Sequence, residues 1–348
     1  MTGTDAGQQP PTLRVTINDV ATAAGVSRAT ATRALKGEGR FAPETRDRIV
    51  ETAERLGYVR NTAAAELAAG KTGTVGLMLR DASNPVYGLL FSRLQDEAHS
   101  RGLDLVTVTI GEDQRGARQV GALHRLLGMR VAGLIVATGG VSTAQLEPFA
   151  DQVPILRAGR IEPEGRIHSV HYDEATHGHL LASHVLGLGH RRVVVLAASA
   201  DASYPEHLRA AAMQATLSAA DAQLTVLSVG AGPEEGLAEA LDAVRAGATA
   251  VMCASDSRQL AFMRAARASG LDVPADVSVS GCDGILPGAD LLGLTTVRIP
   301  VEEVAAAAVD TMQKLLTSDG SDAGIGTVHR GFAGPLIPGS TVAAPTAD

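Results

Sequence analysis

The chain has 348 residues, too many for one small module and enough for two or three domains. Apolar residues make up 45% of it, yet Trp is absent and only nine residues are Phe or Tyr, so its cores must be built from Ala, Val and Leu. A net charge of −8 argues against binding nucleic acid over the whole surface, two cysteines exclude a disulfide framework, and no apolar run is long enough for a membrane span.

The charge is uneven. Residues 1–62 hold nine Arg and Lys against seven Asp and Glu, a net +2, while the remaining 286 hold 21 against 31, a net −10. A weakly basic head on an acidic body permits DNA binding through the head and disfavours it elsewhere. No basic segment followed by an apolar one opens the sequence, and the sparse thiols suit a reducing compartment, so a soluble cytoplasmic protein is expected.

Residues 1–13 read as a disordered tail. From Val15 to Leu35 the pattern is two short helices joined by a tight turn at Gly25-Val26, the helix-turn-helix arrangement. Ile17, Val20, Ala21 and Ala24 give the first helix an apolar face, and Ser27 is a natural N-cap for the second. On that second helix Ala31, Ala34 and Leu35 face inward, leaving Arg28, Ala29, Thr32 and Arg33 on one outward face. Arginines, small residues and hydroxyls without an acid suit the major groove; an ordinary helical hairpin with solvated arginines fits the same residues. Pro43 opens a third amphipathic helix with Ile49, Val50, Ala53 and Leu56, ending at Gly57. Residues 62–69 are helix-prone, and Gly70-Lys-Thr-Gly73 makes a linker.

Beyond residue 74 apolar runs alternate with amphipathic stretches. Strands are expected at 75–79, 103–108, 133–136, 153–156, 193–196, 224–229, 250–253 and 277–281. Helices are expected near 88–101, 114–128, 175–187, 206–219, 234–245 and 257–269. Repeated β-α-β signals with buried strands predict parallel sheets covered on both faces, and the length predicts two lobes with a boundary near 157–172 and a return crossing near 297–300. Ligands in such sheets bind beyond the carboxyl ends of the strands, which makes the cleft between lobes the expected site.

Several segments together resemble the LacI (lactose-repressor-like) family of bacterial transcription regulators. They are Val15-Thr-Ile-x-Asp-Val-Ala, Ala24-Gly-Val-Ser27, Pro43-Glu-Thr-Arg46, Leu56-Gly-Tyr58, Asn84-Pro85, Leu188-Gly-His-Arg-Arg192, Val273-Pro-x-Asp-Val-Ser278 and Leu294-Thr-Thr-Val-Arg298, in order over residues 14–340. The resemblance implies an α/β protein whose all-helical helix-turn-helix head (14–61) joins, through a hinge (62–73), a two-lobed periplasmic-binding-protein-like core of doubly wound parallel sheets (74–340). It places lobe 1 at about 74–169 and 300–326, lobe 2 at about 170–297 and 327–340, and a tail at 341–348. It further implies a repressor rather than an enzyme, a homodimer on a near-palindromic operator in double-stranded DNA, and a small-molecule effector such as a sugar or sugar derivative between the lobes. By the same resemblance Arg28, Ala29 and Arg33 would read base edges, while Thr16, Ser27, Thr30 and Thr32 would hold phosphates. Asn61 belongs to the hinge entry, and Leu67 falls where the family wedges a leucine into a base step.

The effector cleft implied by the resemblance is lined by Asn84, Tyr87, Arg160, Tyr172, Asp173, His207, Asp256 and Asp283. Asp256 and Asp283 also follow expected strands, where they read equally well as caps of the next helices. The chain departs from the family at the hinge, with Val59-Arg60-Asn61, Ala65 and Glu66, and after the recognition helix, with Lys36. In the cleft, Gly159 and Gly284 stand where the family has Asp, His207 where it has Arg, and Cys282 where it has an aromatic residue. Such a pocket should take a less hydroxylated or differently charged effector than the family's usual sugar, or none at all.

Weaker signals point to structure. The histidines between 168 and 190 lack the Cys or tight carboxylate set of a metal site, and Cys253 and Cys282 read as buried inert thiols. Gly230-Ala-Gly-Pro-Glu-Glu-Gly236 is faintly like a dinucleotide loop but reads better as a helix start. No catalytic constellation and no cofactor motif appears.

Overall fold

The computed structural model describes residues 15–59, 73–110, 117–138, 141–162, 165–317 and 326–346. They fall into two compact units that divide after residue 72. The expected tail at 1–13 and the hinge with Arg60, Asn61, Ala65, Glu66 and Leu67 lie outside the described residues.

The head contains α1 (Ile17–Ala23), α2 (Arg28–Lys36) and α3 (Pro43–Leu56). Their buried faces are small: Val20, Ala21, Ala24, Ala31, Ala34, Ile49 and Ala53 form the core, flanked by Ile17, Leu35 and Leu56. Alanines at the crossing points let three short helices approach closely where larger side chains would hold them apart. Gly25 turns the chain between α1 and α2 at φ 68°, a conformation that a side chain disfavours.

The second unit runs through β1 (Thr74–Leu79), α4 (Pro85–Ser100), β2 (Asp104–Thr109), α5 (Ala117–Gly128), β3 (Gly133–Ala137), α6 (Thr143–Leu146), β4 (Ile155–Ala158) and β5 (His168–Tyr172). There follow α7 (Glu174–Gly187), β6 (Arg192–Ala198), α8 (Tyr204–Ala219), β7 (Gln223–Val229), α9 (Leu237–Arg245), β8 (Ala250–Cys253), α10 (Asp256–Ala268) and β9 (Ser278–Ser280). The last elements are β10 (Thr296–Val297), α11 (Val301–Thr317), β11 (His329–Phe332) and β12 (Leu336–Ile337). Lobe 1 is a six-stranded parallel sheet in the order β11-β5-β4-β3-β1-β2, and lobe 2 a four-stranded parallel sheet in the order β7-β6-β8-β9. The chain passes between lobes three times, at 172–174, at 297–301 and at 332–336, where β10 and β12 pair antiparallel. The expected doubly wound, two-lobed architecture is present.

Some expected boundaries are corrected. A lobe border at 169/170 falls inside β5, and β11, expected in lobe 2, pairs with β5 in lobe 1. The reason is polar pairing: the Val328 amide donates to His168 Nδ1 (3.1 Å) and Ser169 Oγ lies 2.9 Å from His329 Nδ1, so a strand too polar to announce itself finds partners 160 residues away. The expected tail starts too early, because Thr341 and Val342 are buried and the Thr341 carbonyl accepts from the Val279 amide (2.8 Å). Residues 233–236 form a turn, so α9 begins at Leu237 rather than near 234.

Candidate functional site

In the head, Thr16 caps α1 through a reciprocal box: its hydroxyl oxygen accepts from the Asp19 amide (3.4 Å), while its amide (2.8 Å) and hydroxyl (2.7 Å) donate to Asp19 Oδ2. These bonds hold the Asp19 carboxyl below its ordinary range. Ser27 caps α2 by accepting from the Thr30 amide (3.1 Å), and the two hydroxyl oxygens are 2.8 Å apart. The Thr32 hydroxyl donates to the Arg28 carbonyl (2.8 Å), and Arg33 Nε–H reaches the Ala29 carbonyl (3.4 Å). Arg28, Ala29 and Arg33 are exposed on one side of α2, which carries no acid, whereas Thr30 and Thr32 are half-buried. The four hydroxyls expected to hold phosphates therefore all take part in shaping helix ends or turns, and a phosphate would meet their remaining hydrogen-bonding capacity.

In the core, a cavity of about 380 Å³ opens between the lobes. Lobe 1 contributes Asn84, Tyr87, Gly159, Arg160 and Tyr172 from the carboxyl ends of its strands and the start of α4, and lobe 2 contributes Glu206, Arg209, Arg258 and Asp283. Pro85 at the first turn of α4 and the Asn84 side chain, which accepts from the Val86 amide (3.0 Å), fix that helix start. Arg160 lies over the Tyr204 ring at 4.3 Å, and Arg80 spans the lobes by donating from both terminal nitrogens to the Ala202 carbonyl (3.2 Å each).

The floor is ionic. Arg209 Nε donates to Glu174 Oε2 (2.7 Å), and its terminal nitrogen lies 3.5 Å from Asp283 Oδ1. His177 Nδ1 is 3.3 Å from the same glutamate oxygen, and its Nε2 accepts from the Gly334 amide (3.0 Å) in the third crossing. Burial opposes the charge on Glu174, but Arg209 and His177 hold its carboxyl below the usual glutamate value. Burial pushes Asp283 well above the usual carboxylate range, with Arg209 opposing. Asp283 also sits at φ 129°, held there by its amide to Val297 and its carbonyl to Ile299. Among the described wall residues, Tyr172 Oη, Glu174 Oε1 and Arg258 Nε are buried without a hydrogen-bond partner.

Known proteins share both halves of this arrangement. Residues 16–61 match the bacterial regulatory proteins of the lacI family, and residues 182–341 match the periplasmic binding protein-like domain. The HTH-type transcriptional regulator DegA of Bacillus subtilis is 30% identical over 305 residues, which cover 84% of this chain and 89% of DegA. The chain belongs to the LacI family. It is a DNA-binding transcriptional regulator with a ligand-binding type of core.

GalR of Escherichia coli is likewise 30% identical to this LacI-family chain over 302 residues, covering 85% of it and 87% of GalR. Among solved structures, the lac repressor dimer bound to operator and an anti-inducer shares its fold, with a TM-score of 0.81 at 23% identity over 95% of this chain and 99% of that one. The regulator CelR in complex with cellobiose gives a TM-score of 0.67 at 25% identity, covering 94% of this chain and all (100%) of CelR.

Of the expected effector residues in this LacI-family core, Asn84, Tyr87, Arg160, Tyr172 and Asp283 line the cavity, and three do not. Asp173 caps α7, accepting from the Thr176 amide (3.0 Å) and hydroxyl (2.7 Å). Asp256 accepts from the Gly284 amide and the Thr296 hydroxyl (2.7 Å each), which ties α10 to the second crossing behind the wall. His207 turns its Nδ1 to the Ala198 carbonyl (3.1 Å). The guanidinium missing at 207 comes instead from Arg209, two residues along α8 and so on another face of the helix. Arg209 and Glu174 were legible only through such a shift in register.

Cys253 and Cys282 are buried free thiols, and burial pushes Cys253 to about 12 and Cys282 well above its ordinary value. No set of His, Cys, Asp or Glu able to hold a metal occurs among the described residues, and no helix there is long and apolar enough to cross a membrane.

Proposed function

We propose that this regulator represses transcription as a cytoplasmic homodimer on a near-palindromic operator, and that a small hydroxylated effector bound between the lobes sets its operator affinity. The observation that carries the effector half is the Glu174 oxygen: an ionised carboxylate buried at the cavity, with one oxygen on Arg209 and the other unpartnered, calls for a donor from a bound molecule. The cellobiose held by CelR, a relative of the same fold, supports a ligand of that kind. The DNA half rests on the acid-free outer face of α2, from which Arg28 and Arg33 would meet base edges with Ala29, and Thr16, Ser27, Thr30 and Thr32 the flanking phosphates. The lac repressor dimer on its operator supports the two-fold arrangement. In the hinge, Asn61 and Leu67 are proposed to complete the DNA contact, Leu67 as the wedge.

An effector that closes the lobes differently in its two states would shift the balance between strong and weak operator binding. Selection of genomic fragments by the purified full chain tests this. The expected result is a small set of fragments sharing a near-palindromic motif, with affinity that a compound from a sugar and sugar-derivative panel changes. Equal binding to all fragments would contradict the regulatory reading, and ligand binding without any effect on DNA would contradict the coupling.

A further inference from the structure

The segment Gly230–Gly236, whose sequence reads better as a helix start than as a dinucleotide loop, contributes to the cavity wall: Ala231 and Pro233 line it. Glu235 spends its carboxylate on the loop itself, accepting from the Gly230 amide (2.7 Å) and the Gly232 amide (3.3 Å). Arg258, in the first turn of α10, donates from its two terminal nitrogens to the Glu235 carbonyl (2.9 Å) and the Gly230 carbonyl (2.8 Å).

These bonds fix the guanidinium plane but leave its charge unmatched. Arg258 is 1% exposed, lines the cavity, pairs with no carboxylate among the described residues, and keeps a buried Nε–H without a partner. A buried cation with no counter-ion is costly unless an anion meets it. Among the other wall carboxylates, Glu174 and Asp283 share Arg209, Asp81 is turned onto the Ser83 amide (2.9 Å) and hydroxyl (2.8 Å), and Glu206, on α8, faces the same cavity but forms no ion pair with Arg258.

A second observation coincides at the same place. Ser255, at the N-cap of the 13-residue α10, makes no side-chain cap hydrogen bond, and both Ser255 and Ser257 line the cavity beside Arg258. The Asp256 amide is taken by the Cys282 carbonyl (2.6 Å), so the Ser257 and Arg258 amides, the two serine hydroxyls and the positive charge of Arg258 make up the donor set, of the kind that carboxylates and phosphates use. The acid in that turn, Asp256, faces away, onto Gly284 and Thr296.

We propose that Ser255, Ser257 and Arg258 bind the anionic group, a carboxylate or a phosphate, of a hydroxylated effector whose hydroxyl end meets Tyr172 and Glu174. This rests on the reading of the cavity as an effector site and narrows its ligand to an acidic sugar derivative.

Thermal melting of the full chain tests it without DNA, using D-gluconate, D-glucose 6-phosphate and inorganic phosphate, with D-glucose as the uncharged control. The variant is Ser257→Asp, which suits a helix N-terminus but repels an anion; Ser257 is exposed, so the variant's own melting midpoint reports whether it folds. The expected result is a midpoint raised by at least one anion more than by glucose, with the affinity for that anion about tenfold weaker in Ser257→Asp. A response to gluconate alone assigns a carboxylate, and one to the phosphates alone assigns a phosphate. No shift from any of the three anions, or an anion effect equal in Ser257→Asp, overturns the proposal. A shift from glucose alone overturns it too, yet leaves the cavity an effector site.

Discussion

Arg209 and Glu174 show how much of the cavity depends on single side chains. Both are buried, and each supplies the other's counter-charge. Replacing Glu174 with Gln leaves Arg209 with the more distant Asp283, and breaking a buried pair in this way costs about 3 kcal/mol. Urea denaturation of Glu174→Gln should therefore show a loss of that order, whereas a loss below about 1 kcal/mol would mean the pair is solvated. The histidines give a pH dependence. His190 is buried with Nε2–H on the Ala343 carbonyl and Nδ1 on the Thr249 hydroxyl (2.8 Å each), and burial lowers its pKa, as it lowers those of His171 and His184. A group kept neutral in the fold binds fewer protons than in the unfolded chain, so its stability is present above the unfolded value of about 6.5 and lost as pH falls through the lowered one. The melting midpoint should drop from pH 7.5 toward 5.5, and the difference between wild type and His190→Asn should shrink over that range. Five of the eight expected cavity residues lie on the wall; Asp173 and His207 are turned away by local partners, Thr176 and the Ala198 carbonyl, and Asp256 by Gly284 and Thr296 farther along the chain.

At the scale of elements, most of the fold was legible because apolar runs and helical periods dominate it. The misses have physical causes. β5 reads His-Ser-Val-His-Tyr, and its pairing with the chain at 328–332 supplies side-chain partners to His168 and Ser169. The expected helices end at 269, yet α11 carries Val301, Val304, Ala305, Ala308, Val309 and Met312 at helical spacing; its burial against lobe 1 follows from the second crossing. Close packing of α7 on α8 rests on Gly178, where an added Cβ would meet the Arg209 carbonyl and lie 2.8 Å from Ala212 Cβ. Gly178→Ala should cost about 1–3 kcal/mol by overpacking, read as a lower denaturation midpoint, and should weaken effector binding because α8 carries Arg209. Unchanged stability would show that the helices can part freely.

For the whole molecule, charge divides the labour. A head at +2 beside a body at −10 leaves α2, with Arg28 and Arg33 outward, as the surface suited to phosphate and base contacts. That division was readable from the sequence alone, whereas the identity of the cavity's ligand depends on which charges the fold leaves unmatched. Binding of a selected operator fragment as a function of salt, for wild type and for Arg28→Ala/Arg33→Ala, tests the central claim most directly. Each phosphate contact contributes about −0.9 to the slope of log K against log salt. The wild type should bind the selected fragment far more tightly than random DNA, with a steep slope. The double variant should lose that preference and show a flatter slope while its core melts as the wild type does. Equal preference and equal slope in the two proteins would contradict the account.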